Sequence, residues 1–204
     1  MSAVANSAGW ISPEEYFQGE RASEIRHEYV DGYVYAMAGA SDDHNRITRN
    51  ILTALDNTLR GKPCEPFATD MKVKIPPAFA EVYYYPDVLV VCDPADNAKY
   101  HRERPSIIFE VISPDTERTD RREKAIAYRQ ISTLDAYVLV EQDRIEVTVL
   151  RRSEPGWQSE TLKGPNAILK LSNIRVEIPL ERIYERTTAG VTLLAGLSEG
   201  RAVA

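Results

Sequence analysis

The sequence predicts an α/β fold built on a central mixed β-sheet flanked by helices. Three observations predict it. Val88-Leu89-Val90-Val91-Cys92 and Ile107-Ile108-Phe109-Glu110-Val111-Ile112 are apolar runs of strand length, broken only by an acid at the entrance of the first (Asp87) and one inside the second (Glu110). Strands covered on both faces read this way. A helical stretch, Asp120 to Ile131, and another apolar run, Tyr137 to Val140, follow. That spacing is a right-handed crossover between parallel strands. Beyond it Ile145, Val147 and Val149 alternate with Glu146 and Thr148, the pattern of an antiparallel, half-exposed strand.

The remaining elements follow from local signals. Ser12-Pro13-Glu14-Glu15 starts a short helix, with Ser12 as cap, Pro13 in the first turn and Glu15 completing a capping box; Gly19 marks its end. Asp31-Gly32 between two β-rich runs, from Arg26 to Met37, predicts a hairpin. Ile47, Ile51, Leu55 and Leu59 recur every four residues and predict a helix from Ser41 to Leu59, stopped by Gly61. Met71, Val73 and Ile75 alternate with lysines in a strand that Pro76-Pro77 ends. Two more strands are expected near Trp157–Leu162 and Ile174–Ile178, and a loose tail from Thr187.

With 204 residues, 43% hydrophobic and 27% charged, the chain suits one globular domain over 1–204, its core at about 12–184 and the tail at 187–204. No run approaches the roughly 20 apolar residues of a membrane span. Met1 to Gly9 lacks the basic start and apolar stretch of a signal peptide. Cys64 and Cys92 form no disulfide framework and no Cys-x-x-Cys pair, so a reducing, cytoplasmic setting is expected. A net charge of −6 argues against nonspecific coating of nucleic acid. The segment Lys99–Arg129 runs the other way, with eight Lys or Arg against six Asp or Glu. A nucleic-acid contact is therefore expected there, with Lys99–Arg104, Arg118, Arg121 and Arg122 framing it.

Glu110 is the most informative residue. A carboxylate inside Ile-Ile-Phe-Glu-Val-Ile needs a basic partner, a proton or a metal to offset its desolvation. If the two apolar strands pair, Asp87 and Glu110 meet at one edge of the sheet, and a shared cation would relieve their repulsion. All-oxygen ligation suits Mg²⁺ or Mn²⁺. The alternative is that each acid pairs separately with an arginine. Lys124 stands one turn from both Asp120 and Tyr128 on one helix face, long enough to reach the sheet edge; an exposed pair with Asp120 is the plainer reading. Glu28 shares a strand face with Val30, and could hold the metal through water or orient Lys124; an exposed strand glutamate is the alternative. His44 could contact substrate phosphate or act as a surface residue near the helix start. Ser113 and Thr116 could offer a phosphate subsite or cap the next helix. No Gly-x-Gly-x-x-Gly, Gly-Lys-Ser/Thr or Gly-x-Ser-x-Gly motif is present, and His27-Glu28 lacks the second histidine of a zinc-protease motif, so a nucleotide cofactor, a serine hydrolase and zinc chemistry are not expected.

Tyr85-Pro86-Asp87-Val88, Ile108-Phe109-Glu110-Val111-Ile112-Ser113-Pro114-Asp115-Thr116, and then Asp120, Lys124 and Tyr128 together resemble the Uma-two family of endonucleases, within the restriction-endonuclease-like, PD-(D/E)XK superfamily. The hairpin around Arg26-His27-Glu28 and Asp31-Gly32, the His44 helix and the strands from Ala136 extend the resemblance over roughly 12–184. It implies a restriction-endonuclease-like fold, Asp87 and Glu110 as metal ligands, Mg²⁺ or Mn²⁺ as cofactor and DNA as partner. The residues' own positions and charges add Glu28 as a supporting acid and His44, Ser113, Arg121 and Arg122 as candidate substrate contacts. The superfamily places a lysine two residues after the glutamate; here Ile112 stands there, so the lysine role would pass to Lys124. Tyr85 and Tyr33 stand where the family often has arginine and an acid. The implied activity is a metal-dependent phosphodiesterase cutting DNA, and a homodimer would suit two-strand cutting. The alternatives are an inactive nuclease-fold module that binds nucleic acid or protein, and a small-molecule phosphodiesterase.

Overall fold

The computed structural model describes residues 9–37, 39–76, 81–113 and 116–191. The reading of the extreme N-terminus, Pro77, the Pro114-Asp115 part of the motif and the tail from 192 lie outside the described residues.

Helix α1 (Pro13–Ala22) opens with the expected capping box: Glu15 N–H donates to Ser12 Oγ at 3.2 Å, and Ser12 N–H donates to the Glu15 carboxylate at 2.7 Å. Strands β1 (His27–Val30) and β2 (Tyr33–Ala36) form the hairpin. Asp31 and Gly32 both take positive φ, 49° and 87°, as the tight two-residue turn requires. The Trp10 indole lies where a Cβ on residue 32 would be, which reserves that position for glycine. Helix α2 (Asp42–Leu59) is capped by Ser41 and buries Ile47, Ile51, Leu55 and Leu59 along one stripe.

The chain continues through β3 (Glu65–Ala68), β4 (Lys72–Ile75), β5 (Val82–Tyr84), β6 (Val88–Val91), β7 (His101–Arg102) and β8 (Pro105–Ile112). A π-helix (Thr119–Lys124) leads into α3 (Ala125–Tyr128). Then come β9 (Ala136–Glu141), β10 (Glu146–Ser153), β11 (Gly156–Lys163), β12 (Ile168–Leu171), a 3₁₀ turn (Ser172–Ile174), β13 (Val176–Pro179) and α4 (Leu180–Ile183).

The central sheet runs β11-β10-β9-β8-β6-β3 and is mixed: β8 and β9 are parallel, across the expected crossover, and the other pairs are antiparallel. A second sheet, β2-β1-β5-β4-β7, carries the hairpin, and β12 pairs β13. Alternation along β6 and β8 sorts the core. Val88, Val90, Ile107, Phe109 and Val111 pack with α2 and α4. Leu89, Val91, Ile108 and Ile112 pack with Tyr128 and Tyr137 on the opposite face. Asp87 and Glu110 continue this second set.

Several sequence expectations are corrected. The helix expected from Asp120 to Ile131 is a π-helix over Thr119–Lys124 followed by a single α turn, Ala125–Tyr128. Strands β5 (three residues) and β7 (two residues) are too short to carry an alternation, so the second sheet has no sequence signal beyond the hairpin and β4; β3 and β12, four residues each, add unexpected strands to the central sheet and beside β13. Cys64 and Cys92 are joined by a disulfide: the register Glu65↔Val91 sets them opposite each other, which removes the cysteine argument for a reducing compartment. The tail is not loose from its start, since Thr187 is buried and its hydroxyl donates to the Tyr184 carbonyl. Among the described residues no helix is long and apolar enough to cross a membrane.

Candidate active site

The β6–β8 register sets the acids. Val88 faces Phe109 and Leu89 faces Ile108, so the next step of the antiparallel ladder brings Asp87 opposite Glu110. Side chains so placed start about 4.5–5.5 Å apart at Cβ. Asp87 is anchored there: Oδ2 accepts from the Val111 N–H at 2.7 Å and lies 3.3 Å from His44 Nε2 on α2. Both acids line one cavity of about 290 Å³.

Glu110, 3% exposed, is held from the opposite side. Its Oε1 accepts from Lys124 Nζ at 3.1 Å and from the Tyr128 hydroxyl at 3.0 Å. Lys124 reaches the sheet because it ends the π-helix. The turn puts Lys124 and Asp120 side by side facing the sheet, while Arg118 and Arg122 stay exposed. Turns of this kind often mark functional sites. The Lys124 ammonium also lies 2.9 Å from Glu28 Oε1 and 3.4 Å from Asp120 Oδ1. Glu28 in turn accepts from the Tyr85 N–H at 3.3 Å. Three carboxylates from β1, β8 and the π-helix thus converge on one buried cation.

The electrostatics follow. Burial raises the Glu110 pKa well above the ordinary carboxylate value; Lys124 opposes this, and Asp120, Asp87 and Glu28 add to it. For Lys124 burial works against the charge, but Glu110 and Glu28 outweigh it and hold the pKa well above an ordinary lysine. His44 is pulled down by burial, yet its contact with Asp87 raises it overall. Four carboxylates line a cavity whose one lysine is already shared among three of them.

The donor set suits a hard divalent cation. Asp87 Oδ1 and Glu110 Oε2 accept no hydrogen bond from a described residue. Asp120 Oδ1 is buried within ion-pair distance of Lys124 but has no hydrogen-bond partner among the described residues. No group of three or more His, Cys, Asp or Glu among them is gathered closely enough to enclose a metal.

The structure therefore gathers Glu28, His44, Asp87, Glu110 and Lys124 at one cavity. Ser113 also lines it, but hydrogen-bonds with Thr116 in a reciprocal cap, as the plainer reading had it. Arg121 and Arg122 do not line the cavity. Arg121 is engaged by Glu117 at 3.1 Å and by buried Glu141; Arg122 is exposed and has no ion pair among the described residues. The expected frame of Lys99–Arg104 does not form either. Arg104 pairs with Asp93, and Arg102 bonds the Ala98 carbonyl and lies over Phe67. Sequence reasoning paired Asp120 with Lys124 as an exposed ion pair; the pair is present but buried, and Tyr128, which shares that face, was given no role. Ser41, Asn45 and Gln142 at the rim were given none either.

The sheet order and this site define a restriction-endonuclease-like protein. A solved structure described as "a putative nuclease belonging to DUF820", from Anabaena variabilis, shares the fold with a TM-score of 0.69, covering 85% of this chain and 97% of that one at 15% identity. The chain belongs to the Uma2 family: residues 13–180 match the family model described as "Putative restriction endonuclease". Two uncharacterized proteins of Synechocystis sp. are similar along most of their length. One, slr1290, is 34% identical over 176 residues, covering 85% of this chain and 91% of its own; the other, sll1609, is 31% identical over 170 residues, covering 81% and 95%.

Proposed function

We propose that the protein is a Mg²⁺- or Mn²⁺-dependent endonuclease acting on DNA. The observation that carries this reading is the pairing of Asp87 with Glu110 at the mouth of β6 and β8, with free carboxylate oxygens beside a lysine held in place by three acids. A divalent cation bound by those two carboxylates would supply Lewis-acid polarisation of the scissile phosphate and a more acidic water. Lys124 keeps its proton because Glu110 and Glu28 hold it charged, so it serves as a fixed positive group for the charge that grows on phosphate oxygens. Glu28 and Asp120 fix its position. Tyr128 orients Glu110 by donating to the same oxygen that Lys124 uses, which leaves the other oxygen for the cation. His44 holds Asp87 from the α2 side.

The test is Mn²⁺ titration by calorimetry together with oligonucleotide cleavage, for the wild type, Asp87→Asn and Glu110→Gln. Each variant is expected to lose Mn²⁺ affinity and to cut at least about a hundredfold more slowly, in line with the loss of a group that stabilises transition-state charge. Unchanged Mn²⁺ affinity in both variants would sink the shared site.

A further inference from the structure

The cavity is small and acidic, and among the described residues that line it Lys124, shared by three carboxylates, is the one lysine or arginine. Its volume of about 290 Å³ is at the bottom of the roughly 300–1,000 Å³ typical of sites for one small ligand. Glu28, Glu110, Asp120 and Lys124 are each below 5% exposed, so a reacting phosphodiester has to enter the recess to reach them. The rim is tied: the Ser41 hydroxyl at the start of α2 donates to Gln142 Oε1, just beyond β9, at 3.0 Å. Asn45 and Thr69 add further neutral hydrogen-bonding groups to the lining. Of the basic groups on the π-helix side, Arg121 is committed to Glu117 and Glu141, leaving Arg118 and Arg122 exposed and without an ion pair among the described residues.

An intact duplex is held chiefly by neutralising several phosphates along a stiff, regular backbone. None of the arginines exposed without an ion pair among the described residues at the π-helix or on α2, Arg118, Arg122 and Arg49, lines the acidic recess, so they do not provide that there. An unpaired strand makes different demands. Its backbone bends locally, a nucleotide can leave the stack, and hydroxyl and amide side chains can bond base edges and sugars. We infer that the site takes its phosphodiester from an unpaired stretch of DNA (a single strand or a bulge), with one nucleotide unit entering the recess, and that the perfect duplex is excluded. This rests on the reading of the site as a DNA endonuclease.

The experiment compares, with Mg²⁺ and with Mn²⁺, one labelled strand alone, the same strand in a perfect duplex, and the duplex interrupted by an unpaired bulge. The single strand and the bulge are expected to be cut, and the perfect duplex at least roughly tenfold more slowly, because a nucleotide must first be unpaired and unstacked. Binding of the single strand to Glu110→Gln should weaken with salt at a shallow slope of about 1–2, at about 0.7 per neutralised phosphate. Gln142→Ala, which opens the tied rim, should narrow the gap between duplex and single strand. Equal cleavage of perfect duplex and single strand overturns the inference and leaves the nuclease reading standing, as does a steep slope. A gap that Gln142→Ala leaves unchanged overturns the part assigned to the rim. No cleavage of any of the three, with either metal, overturns the nuclease reading and this inference with it.

Discussion

Lys72 and Lys124 are almost equally buried, at 5% and 4% exposure, and their environments are opposites. Lys124 sits among Glu28, Glu110 and Asp120, and its pKa is raised. Lys72, on β4, lies over the rings of Tyr85 at 4.8 Å, Phe17 at 5.3 Å and Tyr16 at 5.9 Å, with no ion pair among the described residues. Its pKa is lowered by burial, which the charge of Glu20 only partly opposes. Burial alone thus does not set the state of a lysine; the carboxylates beside it do. The two clusters meet at Tyr85, whose ring covers Lys72, whose hydroxyl donates to Glu20 at 2.9 Å, and whose N–H donates to Glu28. The contrast separates an ammonium shared among carboxylates from one packed among aromatic rings.

The largest expected effect is at Lys124. From the sequence it reads as a helix lysine whose loss would spare stability, and the three buried carboxylates reverse that expectation. Lys124→Ala leaves them without a cation, and breaking such a buried pair costs about 3–5 kcal/mol. The cost should vary with pH in a defined direction. Burial already raises Glu110 in the wild type, and loss of Lys124 removes the charge opposing that rise. A carboxylate raised above its unfolded value binds more protons in the folded state, so stability falls as pH climbs from the ordinary carboxylate value toward the folded one. The variant should therefore be closer to wild type near about pH 5 than near about pH 8. Melting curves at the two pH values check this, and a deficit that is the same at both would show that the acids do not feel the loss. Cleavage should fall about 10²–10³-fold even where the variant is folded.

A smaller effect separates two neighbouring arginines in the same way, one committed and one free. Arg121 bonds Glu141, whose side chain is 4% exposed and shared with Arg144. Arg121→Ala should cost about 1–3 kcal/mol, as for a buried charged group losing a partner, and leave the salt dependence of DNA binding unchanged. Arg122→Ala should stay within about 0.5 kcal/mol of wild type and reduce the salt slope by about 1. Urea unfolding and a salt series of binding measurements distinguish them; a reversed pattern would mean that Arg121 leaves Glu141 to hold nucleic acid.

How far the site was legible depended on whether its signal was local. Asp87 and Glu110 stood out because an acid within or beside an apolar strand violates the pattern around it. The capping box at Ser12 and the Asp31-Gly32 turn were readable because a few adjacent residues specify each. The pairing of Asp120 with Lys124 was readable from their i,i+4 spacing, but its burial and the arrival of Glu28 from β1 were not, since they depend on tertiary docking that nothing local encodes. The π-helix was hidden as well: its spacing of Asp120, Lys124 and Tyr128 looks the same as that of an α-helix face. The disulfide depended on register, which brings Cys64 and Cys92 together across 28 residues. Strand β3 carries Pro66, which weakens any local strand signal; its place at the sheet edge, next to β6, is where proline is tolerated.

The smallest effect tests the other half of the comparison. Lys72→Met keeps most of the side chain's length and apolar packing and removes an amine that no carboxylate neutralises. Replacing a buried charge by an apolar group of similar volume is often neutral or stabilising, so the variant should match or exceed wild-type stability by about 1 kcal/mol at neutral pH. The pH dependence fixes the sign. Because the folded pKa of Lys72 lies below the unfolded value of 10.5, the unfolded chain holds more protons between those two points. Wild-type stability should therefore rise with pH across that interval relative to Lys72→Met, and the variant's advantage should shrink as the amine becomes neutral in both states. Denaturant unfolding of both proteins from neutral to alkaline pH measures it. If Lys72→Met is instead destabilising at neutral pH, the ammonium is held by the three rings and Glu20 more strongly than burial opposes it, and the two lysines are alike after all.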